Sequence, residues 1–524
     1  MADVALILMA LEPLPRGDWL LHAHEALSAT GMCMERRRAE LLVWREKRRF
    51  GSISYTDAWV VGRIWLAPRR GALGVTSRRL YFLDNVDDID RRPEQIIVSG
   101  VRPQSPPASE QLESQRALIQ TLKEGLRIPT MPVTLQQVDG DLGMAREVRI
   151  GAKTSISPPS KLNTLYREHG FDWSPSDFTV SICSLESVPE EMAGEFARRL
   201  EQAGKQRNLA LKGRTESISV ITNRLRDLTK ADKEAAGGHC LLFVLPSKNQ
   251  LPQVETMSLF DSLRENRIPF RRAYADDPLE YSIPDQLPSI LIAAGGRPHR
   301  SPTSASGRPI WTVGVDLSHQ TESPVSILAL TLVDPDGGLV DAWTIKQQRD
   351  ETVRIESITV LLANCRKRLA SCDGAPNVMV LRDGRMFENE DGNLYSEVLK
   401  THVSLFEYRK RGNPQIAWNG VGHSLIRKPL AALVPGASTM FLVTAPSRDE
   451  RTLPAVDKVT WRPEWNGLKL KPSEIANILA TSAAAPGLGL HPRHLPAAIY
   501  WADGIAGANE EDLRFVGVPV NRTG

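Results

Sequence analysis

The sequence predicts an α/β chain preceded by a small strand-rich domain, and three observations carry that prediction. Before residue 142, short apolar runs alternate with basic clusters. Between 178 and 306, apolar strand-like runs alternate with amphipathic helices. From 307 onward, three strand runs in succession lead into a helix and a further strand. The 524 residues, 41% hydrophobic and 24% charged, suit a soluble globular chain of roughly three or four domains.

The opening, MADVALILMALEPLP, has no cationic segment before its apolar stretch. No apolar run anywhere reaches membrane-spanning length, so the opening reads as a strand and no membrane association is expected. The runs AWVVGRIWLA, RLYFLDNV and EQIIVSGV complete a strand-rich domain over 1–142. Its basic clusters, Arg36-Arg37-Arg38 and Arg45 to Arg49, could track phosphates, although a charge run is more often a solvated face. Pro, Ser and Gln from Ser105 to Gln111 mark a connector, and a helical stretch follows from Leu112 to Leu126. The region 143–177 contains Pro158-Pro159 and reads as an interdomain linker broken in structure.

Over 178–306 the order is FTVSICSL, a charged helix from Pro189 to Gly204, a second helix from Ile218 to Ala236, CLLFVLP, MSLFDSLRENR, PFRRAY and QLPSILIAAGG. Such alternation implies a parallel sheet with helices packed on it. A Ser/Pro/Gly-rich break then opens 307–524. IWTVGVDLS, VSILALTLVD and LVDAWTIKQ are three strands, the last two joined by the turn Asp334-Pro335-Asp336-Gly337-Gly338. A helix from Val353 to Leu369 and the buried-strand run NVMVLRDG follow. Three strands, a helix and a strand in that order open an RNase H-like fold.

Formal net charge is only +3 and the sequence pI about 8.5. Any nucleic-acid affinity must therefore come from local basic surfaces. The five cysteines are scattered with no CxxC pair, which argues against a zinc site or disulfide framework and fits a reducing cytoplasm. His491 and His494 have HxxH spacing, but Pro492 and Pro496 place them in a loop.

Three aspartates stand out. Asp316 interrupts the apolar strand VGVDLSHQ, where an unpaired charge would be expensive; the plain alternative is a buried salt bridge. Asp383 closes VMVLRDG, so it emerges at the carboxyl end of a strand, where open α/β sheets bind ligands; otherwise it is a turn residue before Gly384. Asp503 lies in the mainly apolar helix of LPAAIYWADGIAGA, where pairing with an arginine is the plainer reading. Carboxylates converging from several elements are what a two-metal nuclease needs to hold its cations.

In combination, GVD on the first strand, a glutamate after the third, LRDGR after the helix and LPxxxxxAD near the end resemble the PIWI domain of prokaryotic Argonautes. The resemblance runs from about Cys240 to Val516 and extends more weakly back to Val148. It implies a catalytic tetrad of Asp316, Glu351, Asp383 and Asp503, with Asp350 and Glu356 as alternatives to Glu351. Asp316, Asp383 and Asp503 would be the fixed ligands of two divalent cations, Mg2+ or Mn2+. The region before it resembles the Argonaute MID domain, whose Rossmann-like sheet receives the guide 5′ end. At the family's pocket positions this chain has Met257, Asp261, Arg271 and Ala293, so both expected lysines are missing and a terminal phosphate would lack its usual partners. Met257, Arg264, Arg271, Arg272 and Arg297 are the candidate guide-binding residues.

The resemblance implies a guide-directed, metal-dependent endonuclease that cuts a complementary nucleic-acid strand, in defence against invading DNA. Its partners would be a short guide and its target. The layout, with little room for a PAZ domain, is similar to the short or PAZ-lacking members. Many of those are catalytically silent sensors that activate a separate effector or companion subunit, which is the alternative function.

Overall fold

A computed structural model describes residues 6–50, 53–67, 69–83, 89–90, 104–138, 148–150, 153–155, 162–227, 238–247, 253–265, 268, 270–300, 308–319, 324–349, 352–370, 376–386, 390–418, 429–445, 451–483, 485, 494–507 and 520–522. The chain forms two compact units, Met1–Gly140 with Tyr408–Pro463, and Asp141–Glu407 with Glu464–Gly524.

The first unit is built on antiparallel strands. β1 (Leu6–Glu12) is followed by helix α1 (Trp19–Ser28), β2 (Glu40–Trp44) and the long hairpin β3 (Ile53–Ala67) and β4 (Arg70–Leu83). Helix α2 (Ala108–Gly125) and β5 (Met131–Gln137) complete it. β1 pairs antiparallel with β4, with β5 and with the later strand Ile416–Trp418. Both faces of β1 are buried, because Met9 and Leu11 join a core with α1 and α2 while Leu8 and Ala10 join another with Val133, Phe441 and Val443. That explains a continuous rather than alternating apolar run in ALILMAL. The strands Leu430–Leu433, Thr439–Val443 and Asp457–Thr460 also belong to this unit, although no break in composition sets 408–463 apart from the residues around it.

The second unit begins where the sequence suggested an unstructured linker, and here the structure differs. A two-stranded ribbon, Val148–Ile150 with Lys153–Ser155, and a helix, Leu162–His169, occupy part of it. Leu162, Leu165 and Tyr166, at helical spacing, pack with Ile150 and Phe171 in a small core of their own. The Tyr166 hydroxyl hydrogen-bonds His299 Nδ1 at 2.6 Å, so the segment is anchored.

The expected parallel sheet follows. β6 (Phe178–Ser184), α3 (Glu190–Lys205), β7 (Leu211–Thr215), β8 (His239–Leu245), α4 (Val254–Glu265), β9 (Phe270–Tyr274) and α5 (Leu279–Ala293) give the strand order 7-6-8-9, all parallel. α3 buries Ala193, Phe196, Ala197, Leu200 and Ala203, one helical stripe, against the sheet, and opens with Glu190 and Glu191 where the helix dipole favours acids. The second expected helix is Ile218–Asp227; the expected continuation to Ala236 lies outside the described residues.

A mixed sheet completes the unit. β10 (Ile310–His319), β11 (Val325–Val333) and β12 (Leu339–Gln348) are antiparallel neighbours, and β13 (Asn377–Asp383) lies parallel to β10 on its other side. The predicted turn closes β11 onto β12, with Asp334 Oδ1 accepting from Gly338 N at 2.8 Å and Gly337 at φ +88°. Helix α6 (Ile355–Leu369) buries Ile358, Leu361, Leu362 and Cys365 against Val313, Val315, Val378 and Val380 on one face of the sheet. α7 (Gly392–Leu399) packs into the same core, and α8 (Pro472–Ser482) and α9 (Ala497–Gly507) come later in the chain. Val520–Arg522 adds a parallel edge to β12.

Candidate active site

The period of two along a strand decides where the aspartates fall. On β10, Val313 and Val315 face α6, so Gly314 and Asp316 face the opposite side. On β13, Val378 and Val380 face α6, which turns Asp383 to that same opposite side. Helix α9 covers it. A Cβ on Gly314 would lie 2.1 Å from the Ala498 carbonyl oxygen, and Thr331 Oγ1 donates to that oxygen at 2.8 Å. Ile505 and Ala506 of α9 pack on Ala329 and Ala342, and Ala329 is the residue opposite Asp316 in the β10–β11 ladder. Asp503 sits half-buried on α9 beside this contact stripe.

The strand register brings the first two carboxylates together. β10 and β13 pair as Gly314 with Leu381 and Val315 with Arg382, so the next rung sets Asp316 beside Asp383, with backbones about 4.8 Å apart. Asp316 is buried, at 5% exposure, and Asp383 half-buried. Gly384 takes φ +84° directly after Asp383, so the strand ends in a turn there and the carboxylate stands at its mouth. Among the described residues, no three His, Cys, Asp or Glu side chains close into a metal-holding group.

The residues beneath the site were less legible in sequence. Arg382, facing the α6 side, is paired with Glu390 at 3.0 Å, and the two side chains are 4% and 0% exposed. Arg382 also donates to the main-chain oxygen of Asp383. Burial opposes its charge, yet Glu390, Tyr395 and Asp316 hold the guanidinium above its ordinary value. Burial and Glu390 push the Tyr395 hydroxyl upward as well. Glu407 accepts from Met386 N at 2.9 Å and steadies the loop after β13. The signal for the pair was the arginine inside VMVLRDG, a charge in a buried strand that requires a buried acid.

Glu351 and Asp350 lie outside the described residues, as do the side chains of Met257, Asp261, Arg264 and His319, and His491. Glu356 opens α6 and is exposed. His494 is exposed too. Arg271, on β9, is half-buried and turned inward, its guanidinium donating to the main-chain oxygens of Ser289 and Phe270; burial lowers its pKa. Arg272 lies over the Tyr274 ring at 5.8 Å. Arg297 pairs with Asp172 at 2.8 Å and Asp336 at 3.0 Å. Of the described guide-binding candidates, Arg271 and Arg297 are thus committed to internal partners, and Ala293 is half-buried at the end of α5.

Solved structures decide the fold. The chain matches the structure of Clostridium butyricum Argonaute bound to a guide DNA and a 19-mer target DNA over 95% of its own length and 85% of that chain, with a TM-score of 0.63 and 12% identity. The fold is that of the Argonautes. Marinitoga piezophila Argonaute in complex with a 5′ OH guide RNA and target DNA matches over 94% of this chain and 85% of that one, with a TM-score of 0.60 and 10% identity. Aquifex aeolicus Argonaute matches over 97% and 95%, with a TM-score of 0.56 and 12% identity. No protein-family model and no curated protein sequence matches the chain. The Argonaute fold agrees with the Rossmann-like and RNase H-like regions read from the sequence. No helix among the described residues is long and apolar enough to cross a membrane.

Proposed function

We propose that this Argonaute-fold chain binds a short guide and its complementary strand and hydrolyses a phosphodiester in that strand. The observation that carries the reading is the placement of Asp316 and Asp383 on adjacent parallel strands, facing a layer covered by the helix that bears Asp503. Two carboxylates so close repel each other, and divalent cations relieve that repulsion. An all-oxygen donor set suits Mg2+ or Mn2+ better than zinc. In this reading Asp316, Asp383 and Asp503 would be the ligands of such ions and Glu351 the fourth acid. Bound there, the cations would supply water activation and leaving-group stabilisation.

The rest is the work of the chain's own residues. Arg382 and Glu390 fix the end of β13 from below, so Asp383 is held by its main chain. α9 shields the strand face beside Asp316 from water. Base pairing would set sequence specificity, while the protein holds backbone and helical shape. The described residues of the first unit up to 140 form one strand system with two helices, which supports a PAZ-lacking layout as part of the same proposal.

One observation favours a second reading, a silent guide-dependent sensor: the three aspartates do not close into a metal-holding trio among the described residues. Cleavage of a guide-complementary strand with Mg2+ or Mn2+, in wild type and in Asp383→Asn, separates the two. The nuclease reading expects cutting by wild type and at least about 100-fold less by Asp383→Asn, with guide binding retained. No cutting by wild type with either ion would leave the sensor.

A further inference from the structure

The first unit contains a cavity of about 760 Å³, lined by residues of that unit alone. Its wall includes Arg16, Arg63, Trp65, Arg69, Arg70 and Met131. Arg70 is neutralised by Glu12 through two contacts of 2.8 and 2.6 Å. Arg16, Arg63 and Arg69 leave the cavity strongly cationic. Trp65 is 39% exposed and Met131 64% exposed. The main chain of Trp65 is fixed, since its carbonyl accepts from the buried Lys458 Nζ at 2.8 Å.

Three further details describe this wall. Arg63 lies 5.0 Å from the Trp65 ring and 6.0 Å from the Trp19 ring, a cation within reach of two indoles. Its buried Nε–H has no acceptor among the described residues, and Thr130 Oγ1 at the same wall is likewise unsatisfied. Arg69 adopts φ +72° in the turn between β3 and β4. That conformation, set by the tight hairpin turn, costs a residue other than glycine free energy.

We propose that this cavity binds a nucleotide of a single-stranded nucleic acid, with phosphate on Arg16 and Arg69 and the base against Trp65, at a site separate from the aspartate layer. Phosphates need spaced cations and a base needs an open aromatic face, the two features that mark single-strand sites. The volume accommodates a nucleotide. A duplex, whose bases are already stacked on one another, offers no free face to Trp65.

The test uses the full chain and a labelled 12-nucleotide oligothymidylate carrying one photoreactive thymine, followed by mapping of the cross-linked peptide. Cross-links to Trp65 or Met131 are expected, with yield reduced about tenfold or more in Trp65→Ala and in Arg69→Gly. Arg69→Gly relieves the left-handed strain, so it should melt at or above the wild-type temperature and its loss of cross-linking cannot be put down to misfolding. Asp383→Asn should cross-link like wild type, so failure of the nuclease reading would leave this result intact. Cross-links confined to the second unit would overturn the proposal. So would an unchanged yield in Arg69→Gly, or equal competition by a blunt duplex.

Discussion

Gly314→Ala puts the packing of helix α9 to the test. The backbone at Gly314 does not take the left-handed conformation, so glycine is needed there for space alone. A Cβ would stand 2.1 Å from the Ala498 oxygen, 2.4 Å from its carbonyl carbon and 2.8 Å from Thr331 Oγ1. Ordinary contact would require α9 to retreat by about 1 Å, against well-packed neighbours at Ile505 and Ala506. Overpacking of this kind costs about 1–3 kcal/mol, and loss of the Thr331 hydrogen bond to Ala498 adds about 1 kcal/mol. Because α9 carries Asp503, the same shift should reduce guided cleavage by about 100-fold, the effect expected of an ångström misplacement. Urea unfolding and single-turnover cleavage measure the two effects. A variant with wild-type stability would refute the packing argument. One that is destabilised but cuts at the wild-type rate would remove Asp503 from the chemistry.

Two further substitutions address the electrostatics. Glu390→Gln should destabilise the fold by about 3–5 kcal/mol by leaving Arg382 buried without its counter-charge, and the double variant Arg382→Met, Glu390→Met should recover most of that loss in chemical denaturation; a single variant within 1 kcal/mol of wild type would contradict the pair's role. Asp334 is pushed up to about 6 from 3.8, chiefly by burial. Its folded pKa is raised, so its contribution is fully present below about pH 4 and is lost as pH rises through 6, by up to about 3 kcal/mol. Asp334→Asn should keep the acceptor for Gly338, match wild type near pH 4 and exceed it in stability at pH 8. Parallel unfolding curves across that range would show no link to Asp334.

Much of the second unit was readable because its signals are local. Apolar runs broken by Gly and Pro gave the parallel sheet, and the turn at Asp334–Gly338 formed as its residues demand. Asp316 and Asp383 could be singled out since a charge in an apolar strand is costly wherever it occurs. The segment around Leu162–His169 was hidden by Pro158-Pro159, which dominated the reading although Leu162, Leu165 and Tyr166 carry a helical period. The return of 408–463 to the first unit depends on pairings such as Leu6 with Trp418, more than 400 residues apart, for which local patterning has no signal. The inward turn of Arg271 was equally invisible: an arginine in a strand looks the same in sequence whether it meets phosphate or the carbonyl of Ser289.

The central claim is that a guide directs hydrolysis at the aspartate layer. The most direct measurement maps the cut in a labelled target, with Mn2+ present, using two guides whose complementary sites are offset by one nucleotide. Guided cleavage predicts one cut per target that moves by one nucleotide with the guide and vanishes in Asp383→Asn. A cut that stays in place, persists in Asp383→Asn or occurs without a guide would contradict the claim.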